Sequence, residues 1–103
     1  MKHEVVFLPD ALIELDEAYN WYETRSSGLG DRFYNEVQNI VERIRNNPEC
    51  FQVKYRDVRN GVVNIFPFLI PYLVIEHRIV ILSIMHGKRN PEHWKKRRRK
   101  MKF

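Results

Sequence analysis

The chain has 103 residues, of which 44% are hydrophobic and 30% are charged, so it can form one small globular domain and is not typical of a disordered protein. Its longest apolar stretch, residues 65–75, contains two prolines and is too short to span a membrane. The first residues lack the pattern of a signal peptide and Cys50 is the only cysteine, which excludes an internal disulfide. We therefore expect a cytoplasmic protein.

Charge is distributed unevenly along the sequence. The net charge is +5, but residues 88–103 contain nine basic residues and one acid, which gives this segment +8 and leaves −3 for residues 1–87. Such asymmetry is typical of proteins with an acidic partner, such as a nucleic acid, an acidic protein or an anionic membrane surface.

The first half of the sequence predicts a strand followed by two helices. Residues 5–8 form a short apolar run that ends at Pro9. Apolar residues then recur every three or four positions, first over residues 11–22 and again over residues 33–44, which predicts two amphipathic helices. The glycines Gly28 and Gly30 separate the helices and Pro48 ends the second, so the pair forms an antiparallel hairpin.

The second half predicts strands over residues 58–66, 68–75 and 79–85. Because residues 79–82 are continuously apolar, the third of these is expected to be central, with both faces covered. Pro71 lacks an amide donor and predicts a bulge or a locally unpaired strand. A short basic helix over Glu92–Lys100 is also expected.

The order β-α-α-β-β-β predicts an α+β fold, in which the helix hairpin packs on one face of a small, mostly antiparallel four-stranded sheet with a basic C-terminal segment. The first strand reaches the sheet through the helices, so it can pair in parallel with a later strand. We expect one domain over residues 1–94 and a basic tail over residues 95–103. The second face of the sheet is expected to be partly open to a partner.

The sequence lacks common cofactor motifs. Gly28 and Gly30 are not accompanied by the third glycine or the Lys-Ser/Thr pair of a phosphate-binding loop. The four histidines lack metal-ligand spacing, and one cysteine does not form a structural zinc site. We expect no metal and no cofactor.

Several residues of the first helix lie off its apolar stripe. The carboxylates are interpreted as a solvated face; they are Glu14, Asp16, Glu17 and Glu23. Ile13 and Trp21 also lie off the stripe, and either a second core contact or an exposed apolar surface for a partner accounts for them.

The segment over residues 86–94 carries the most distinctive chemistry. Lys88 and Arg89 can bind phosphate or carboxylate, and His86 can transfer a proton near neutral pH. Trp94 can stack on a base or fold back as an apolar cover for the sheet, and we favour the second role. The following residues, 95–100, form either a solvated tail or an anion-binding segment.

These motifs together resemble the RelE/ParE toxins, the toxic halves of bacterial type II toxin–antitoxin modules, also called plasmid stabilisation proteins. The resemblance extends over residues 4–98 and rests on motifs in the family's order: Phe7-Leu8-Pro9, Trp21-Tyr22-Glu23, Gly28-Leu29-Gly30 with Phe33, Asn47-Pro48, Arg59, Phe66-Pro67-Phe68 with Tyr72, and His86, Arg89, Pro91 and Trp94. The fold implied by the resemblance agrees with the one predicted from the pattern.

The resemblance implies two alternative activities. RelE-like members are ribosome-dependent mRNA endoribonucleases, and here that role implies His86, Arg89 and Arg59 as catalytic residues. ParE-like members inhibit DNA gyrase. This sequence has Leu69 where many of the nucleases have arginine, and Trp94-Lys95 where they have a tyrosine, so it is more similar to the ParE-like side.

The ParE-like interpretation implies no catalytic residue and a basic end that contacts the target. The expected target-binding residues are His86, Lys88, Arg89, Trp94, Arg97 and Arg98. The resemblance also implies a cognate antitoxin that folds along the helix hairpin and the open sheet face, for which we expect Ile13 and Trp21 to be contacts. A basic nucleic-acid-binding module that uses the tail remains a third hypothesis.

Overall fold

The computed structural model describes residues 3–102. The described elements follow one another as β1 (Glu4–Phe7), α1 (Pro9–Arg25), α2 (Leu29–Asn46), β2 (Val53–Tyr55), β3 (Val58–Val62), β4 (Phe68–Ile75), β5 (Arg78–Ile81), β6 (Met85–His86) and α3 (Glu92–Lys100). The predicted basic helix is therefore confirmed. Within residues 3–102 no helix combines the length and the apolar character needed to cross a lipid bilayer.

The strands form one mixed sheet in the order β1-β5-β4-β3-β2, and β6 also pairs with β4. β1 runs parallel to β5, as the crossover predicted, and the other pairs are antiparallel. The α+β class is confirmed, but the prediction of four strands is wrong. β2 has only three residues, too few for a clear alternating pattern, and the last predicted strand divides into β5 and β6.

A bulge opposite Pro71 causes that division. Tyr72 pairs with Ile81 and Leu69 pairs with Met85, so the three residues 82–84 face the two residues 70 and 71. Pro71 has no amide hydrogen to donate to the neighbouring strand. The irregularity predicted from this proline is confirmed, and it leaves polar backbone groups of residues 82–84 outside the regular ladder.

The helix hairpin packs on one face of the sheet, as predicted. The apolar stripe of α2 is fully buried, and it consists of Phe33, Val37, Ile40, Val41 and Ile44. The buried stripe of α1 is narrower, because Ala11, Leu15 and Ala18 are buried whereas Leu12 is half-exposed. These residues join Ile70, Tyr72, Ile79 and Ile81 of the sheet in the larger of two cores.

The turn between the helices depends on Glu23. Its carboxylate accepts hydrogen bonds from the amides of Gly28 and Gly30, each at 2.9 Å. Gly28 has a φ of 88°, which favours glycine, and a Cβ on Gly30 would lie 2.7 Å from the carbonyl oxygen of Tyr19. The prediction that Glu23 belongs to a solvated face is therefore wrong, because its carboxylate binds the amides that begin α2.

The centre of the second face of the sheet is covered by α3. Strand residues adjacent to those of the first core point to this face, and Leu73, Val80, Leu82 and Met85 pack there with Trp94. Trp94 is only 2% exposed, which confirms its interpretation as an apolar cover. The expectation of a partly open sheet face holds at β3, where Val62, opposite Leu69, is 51% exposed, whereas the centre of the face is closed by a basic helix with an apolar anchor. The predicted domain boundary at residue 94 falls inside α3.

Candidate functional site

A groove of about 540 Å³ lies between α1 and the strands β4 and β6. Its walls are mainly apolar, and its polar residues come from α1 and from the segment around β6. The lining residues are Glu14, Glu17, Ala18, Trp21, Tyr22, Pro67, Phe68, Ile84, Met85, His86 and Arg89. An apolar concave surface with a few charged residues is typical of a binding site.

His86 and Arg89, two of the expected target-binding residues, both line this groove. The Nδ1 atom of His86 accepts a hydrogen bond from the amide of Lys88 at 3.1 Å, and its ring lies edge-on to Phe68 at 5.6 Å. The amide of Arg89 donates to the carbonyl of His86 at 3.0 Å, which closes a tight turn after β6. This turn holds the imidazole, while the side chain of Arg89 is exposed to solvent.

Arg59, the third residue of the hypothetical nuclease set, occupies a different hollow. It donates to the carbonyl of Phe51 at 2.7 Å and lines a cavity with His3, Pro48 and Asp57. That cavity shares no lining residue with the groove. Arg59 thus holds the chain before β2 and is not brought together with His86 and Arg89.

Glu14 is a second carboxylate for which the prediction of a solvated face is wrong. It is 9% exposed, and its Oε1 atom accepts from the Ser83 hydroxyl at 2.8 Å and from the Ile84 amide at 3.2 Å. Arg97 donates to both carboxylate oxygens, at 2.9 and 2.8 Å. The spacing contained a signal, since Glu14 lies three residues after Ala11 and four before Ala18, within the buried stripe of α1.

His93 completes this cluster. Its Nε2 atom lies 2.5 Å from Glu14 Oε2 and 2.8 Å from Arg97 Nη2. A carboxylate only accepts and a guanidinium only donates, so Nε2 donates to Glu14 when it is protonated and accepts from Arg97 when it is not. The cluster joins α1, the bulge and α3 through one buried carboxylate.

The electrostatics of the cluster keep Glu14 ionised. Burial raises the pKa of Glu14, but hydrogen bonds from Arg97, His93 and Ser83 and the positive charge of Arg97 outweigh it and lower the pKa to about 2. A general base works best with a pKa near the operating pH. Glu14 is therefore suited to an ion pair that holds α3 in place.

Two predicted target-binding arginines also form ion pairs. Arg97 contacts Glu14, and Arg98 makes a two-pronged contact with Asp57 at 2.7 and 3.0 Å. Both arginine side chains are largely buried. The hydrogen bonds between Arg98 and Asp57 lower the pKa of Asp57 and raise the pKa of Arg98. Trp94 lies on the inner face of α3, where it is buried against the sheet. Lys88 and Arg89 are exposed, so of the predicted contacts these two are directly accessible to a target.

Ile13 and Trp21, for which the sequence allowed either a core contact or an exposed surface, are exposed. Ile13 is 57% and Trp21 51% exposed on α1. The guanidinium of Arg25 lies 3.4 Å from the centre of the Trp21 ring, and Trp21 lines the groove. The structure therefore excludes a second core contact for both residues. Across residues 3–102 no group of three or more His, Cys, Asp or Glu side chains is arranged to hold a metal ion.

Comparison with known proteins places the chain in a family. The sequence profile of the ParE toxin of the type II toxin–antitoxin system, parDE, matches residues 5–91. The chain belongs to this family, and it is thus a ParE-like toxin of a type II toxin–antitoxin system, a class in which the toxin has an antitoxin partner.

A solved structure agrees with this assignment at the level of the fold. The chain is similar to one from the chromosomal ParDE TA system from P. aeruginosa, with a TM-score of 0.60 and 22% sequence identity. The alignment covers 82% of this chain and 96% of that chain. No curated protein matches the sequence.

Proposed function

We propose that this toxin inhibits DNA gyrase without catalysing a reaction of its own. The match to the ParE family supports gyrase over the ribosome as the target. The separation of Arg59 from His86 and Arg89 supports the proposal that the toxin does not catalyse RNA cleavage. RNA cleavage requires a base, an acid and cations around one phosphate. The groove provides the imidazole of His86, the exposed carboxylate of Glu17 and, in Arg89, one exposed cation, so it lacks the cluster of cations around one phosphate and fits binding better. Gyrase also implies a cytoplasmic location.

The cognate antitoxin is proposed to neutralise the toxin by covering the groove beside α1. Trp21 offers an exposed aromatic anchor at the groove, and Phe68, Ile84 and Met85 provide the apolar walls. Exposed tryptophans that enter apolar grooves are frequent hot spots of protein interfaces. An amphipathic helix of the antitoxin would fit such a surface.

Expression of the chain from a tightly controlled promoter tests the proposed target. Trapped gyrase–DNA breaks and ribosome-dependent mRNA cuts are measured for the wild type, for His86→Ala and for the control His77→Ala, which lies in the exposed turn before β5. We expect gyrase breaks in all three, with His86→Ala within a few fold of the control, because His86 is one of six expected target contacts and has no catalytic role in this proposal.

The nuclease hypothesis predicts a different result. mRNA cuts that fall by about 10²–10⁴ in His86→Ala but persist in His77→Ala would show acid–base catalysis by His86. That outcome would contradict our proposal. Breaks that disappear in His86→Ala and persist in the control would instead identify His86 as a gyrase contact.

A further inference from the structure

The basic segment contains two kinds of cation. Arg97, Arg98 and Arg99 form ion pairs with Glu14, Asp57 and Glu92. The remaining cations of the segment form no direct ion pair with a carboxylate within residues 3–102, and they are Lys88, Arg89, Lys95, Lys96, Lys100 and Lys102. Arg97 and Arg98 thus hold the helix to the rest of the protein, whereas these six cations leave their charge available to a partner.

We propose that these six cations, the outer cationic face, bind the phosphate backbone of duplex DNA without regard to sequence. This goes beyond the proposed function, because it gives the toxin a direct contact with DNA in the absence of gyrase. Lys96 and Lys100 lie one helical turn apart, about 6 Å along the axis. Both are exposed, and so is Lys102, which follows the end of α3.

The absence of an apolar anchor favours DNA over an acidic protein. Large exposed hydrophobic side chains of the described chain lie between residues 6 and 65, and none lies in residues 88–102. Protein interfaces usually have a buried centre of aromatic or aliphatic residues, whereas binding to a phosphate backbone depends on charge. The outer cationic face therefore matches the second kind of interface.

The burial of Trp94 favours a duplex over a single strand. Proteins that bind single strands stack bases on aromatic side chains. Trp94, the one tryptophan of the segment, is 2% exposed beneath α3, and Tyr55 beside the helix is flanked by Lys95 at 5.0 Å and Arg56 at 5.4 Å. The outward face thus presents charges rather than rings.

Fluorescence anisotropy of a short labelled duplex of arbitrary sequence tests the inference with the purified full chain. Affinity is measured across a series of salt concentrations for the wild type and for the double variant Lys96→Ala with Lys100→Ala. Each neutralised phosphate contributes about 0.9 to the slope of log affinity against log salt, so we expect the slope to fall by about 1.8 in the double variant.

A control removes the same total charge elsewhere. Arg32→Ala with Lys54→Ala changes two exposed cations of α2 and β2, and it is expected to keep the wild-type slope. Circular dichroism verifies that each variant is folded. The proposal is overturned if the control loses the same slope, if the wild type does not bind at low salt, or if a poly-glutamate peptide of equal charge competes as well as the duplex.

Discussion

Glu14 links a local irregularity of the sheet to the position of the basic helix. The amide of Leu82 donates to the carbonyl of Pro71 at 2.8 Å, but Pro71 cannot return a hydrogen bond. Arg97 donates to the Leu82 carbonyl at 2.7 Å instead, and Glu14 accepts from the Ile84 amide. The side chains of the cluster thus satisfy backbone groups that the bulge releases from the ladder.

Glu14→Gln is expected to destabilise the protein by about 3–5 kcal/mol at pH 7, because it leaves the mostly buried guanidinium of Arg97 with only the exposed carboxylate of Asp10, 4.0 Å away, as a counter-charge. Glu17→Gln makes the same chemical change on the exposed side of α1 and is expected to alter stability by less than about 0.5 kcal/mol. Urea unfolding of both variants measures the difference. Equal losses would show that Glu14 is not a structural ion-pair residue.

The same pair of variants predicts the pH dependence of stability. The pKa of Glu14 is lowered from 4.5 to about 2 on folding, so its contribution is complete above pH 5 and is lost as the pH falls towards 2. Between pH 7 and pH 3 the protonation of Glu14 alone lowers the free energy of unfolding by about 2 kcal/mol. Glu14→Gln, which does not titrate, should lack that part of the loss, whereas Glu17→Gln should retain it.

At the scale of the element, α3 is a helix that tertiary contacts create. It has nine residues, fewer than the roughly 12–15 that an isolated helix needs in water. Two pairs of its cations, 95 with 99 and 96 with 100, are spaced four residues apart and repel each other. The cations of the last turn, in contrast, interact favourably with the negative end of the helix dipole. The apolar contacts of Trp94 and the ion pairs of Arg97 and Arg98 offset this repulsion.

Trp94→Ala is expected to cost about 3–5 kcal/mol of stability, since it removes the aromatic side chain that buries α3 against the sheet. Trp21→Ala removes the same side chain from an exposed position and is expected to cost less than about 1 kcal/mol. Thermal unfolding of the two variants compares them directly. A similar loss in both would contradict the anchoring role of Trp94.

At the scale of the whole molecule, the proposed antitoxin and DNA interfaces use different surfaces. The groove beside α1 has apolar walls, whereas the outer cationic face offers mainly charge. Arg89 belongs to both, because it lines the groove and follows β6 in the basic segment. An antitoxin in the groove would therefore reach the edge of the outer cationic face, where acidic residues of the antitoxin would bind favourably.

Trp21→Ala is expected to weaken binding of the cognate antitoxin by about 30-fold or more, the effect of removing an interface hot spot of about 2 kcal/mol. Tyr34→Ala, an exposed aromatic residue of α2 outside the groove, is the matched control and should bind within a few fold of the wild type. Isothermal titration calorimetry measures both affinities. Equal binding by the two variants would place the antitoxin elsewhere.

The sequence alone determined the hairpin, the parallel pairing of β1 and the irregularity at Pro71. Each depends on local chemistry: apolar residues at helical spacing, a crossover connection and a missing amide donor. The five buried apolar residues of α2 were predicted correctly for this reason. The sequence also placed His86 and Arg89 in one segment after the last strand, and both line the groove.

Only the tertiary structure decided which cations are structural and which residues the carboxylate of Glu14 contacts. The run over residues 95–100 is uniformly basic in sequence, yet burial of Trp94 turns Arg97 and Arg98 towards carboxylates from distant elements and leaves Lys96 and Lys100 exposed. Glu14 and Arg97 are 83 residues apart. Their pairing depends on how α1 and α3 meet at the bulge, and no local pattern encodes a contact between elements at opposite ends of the chain.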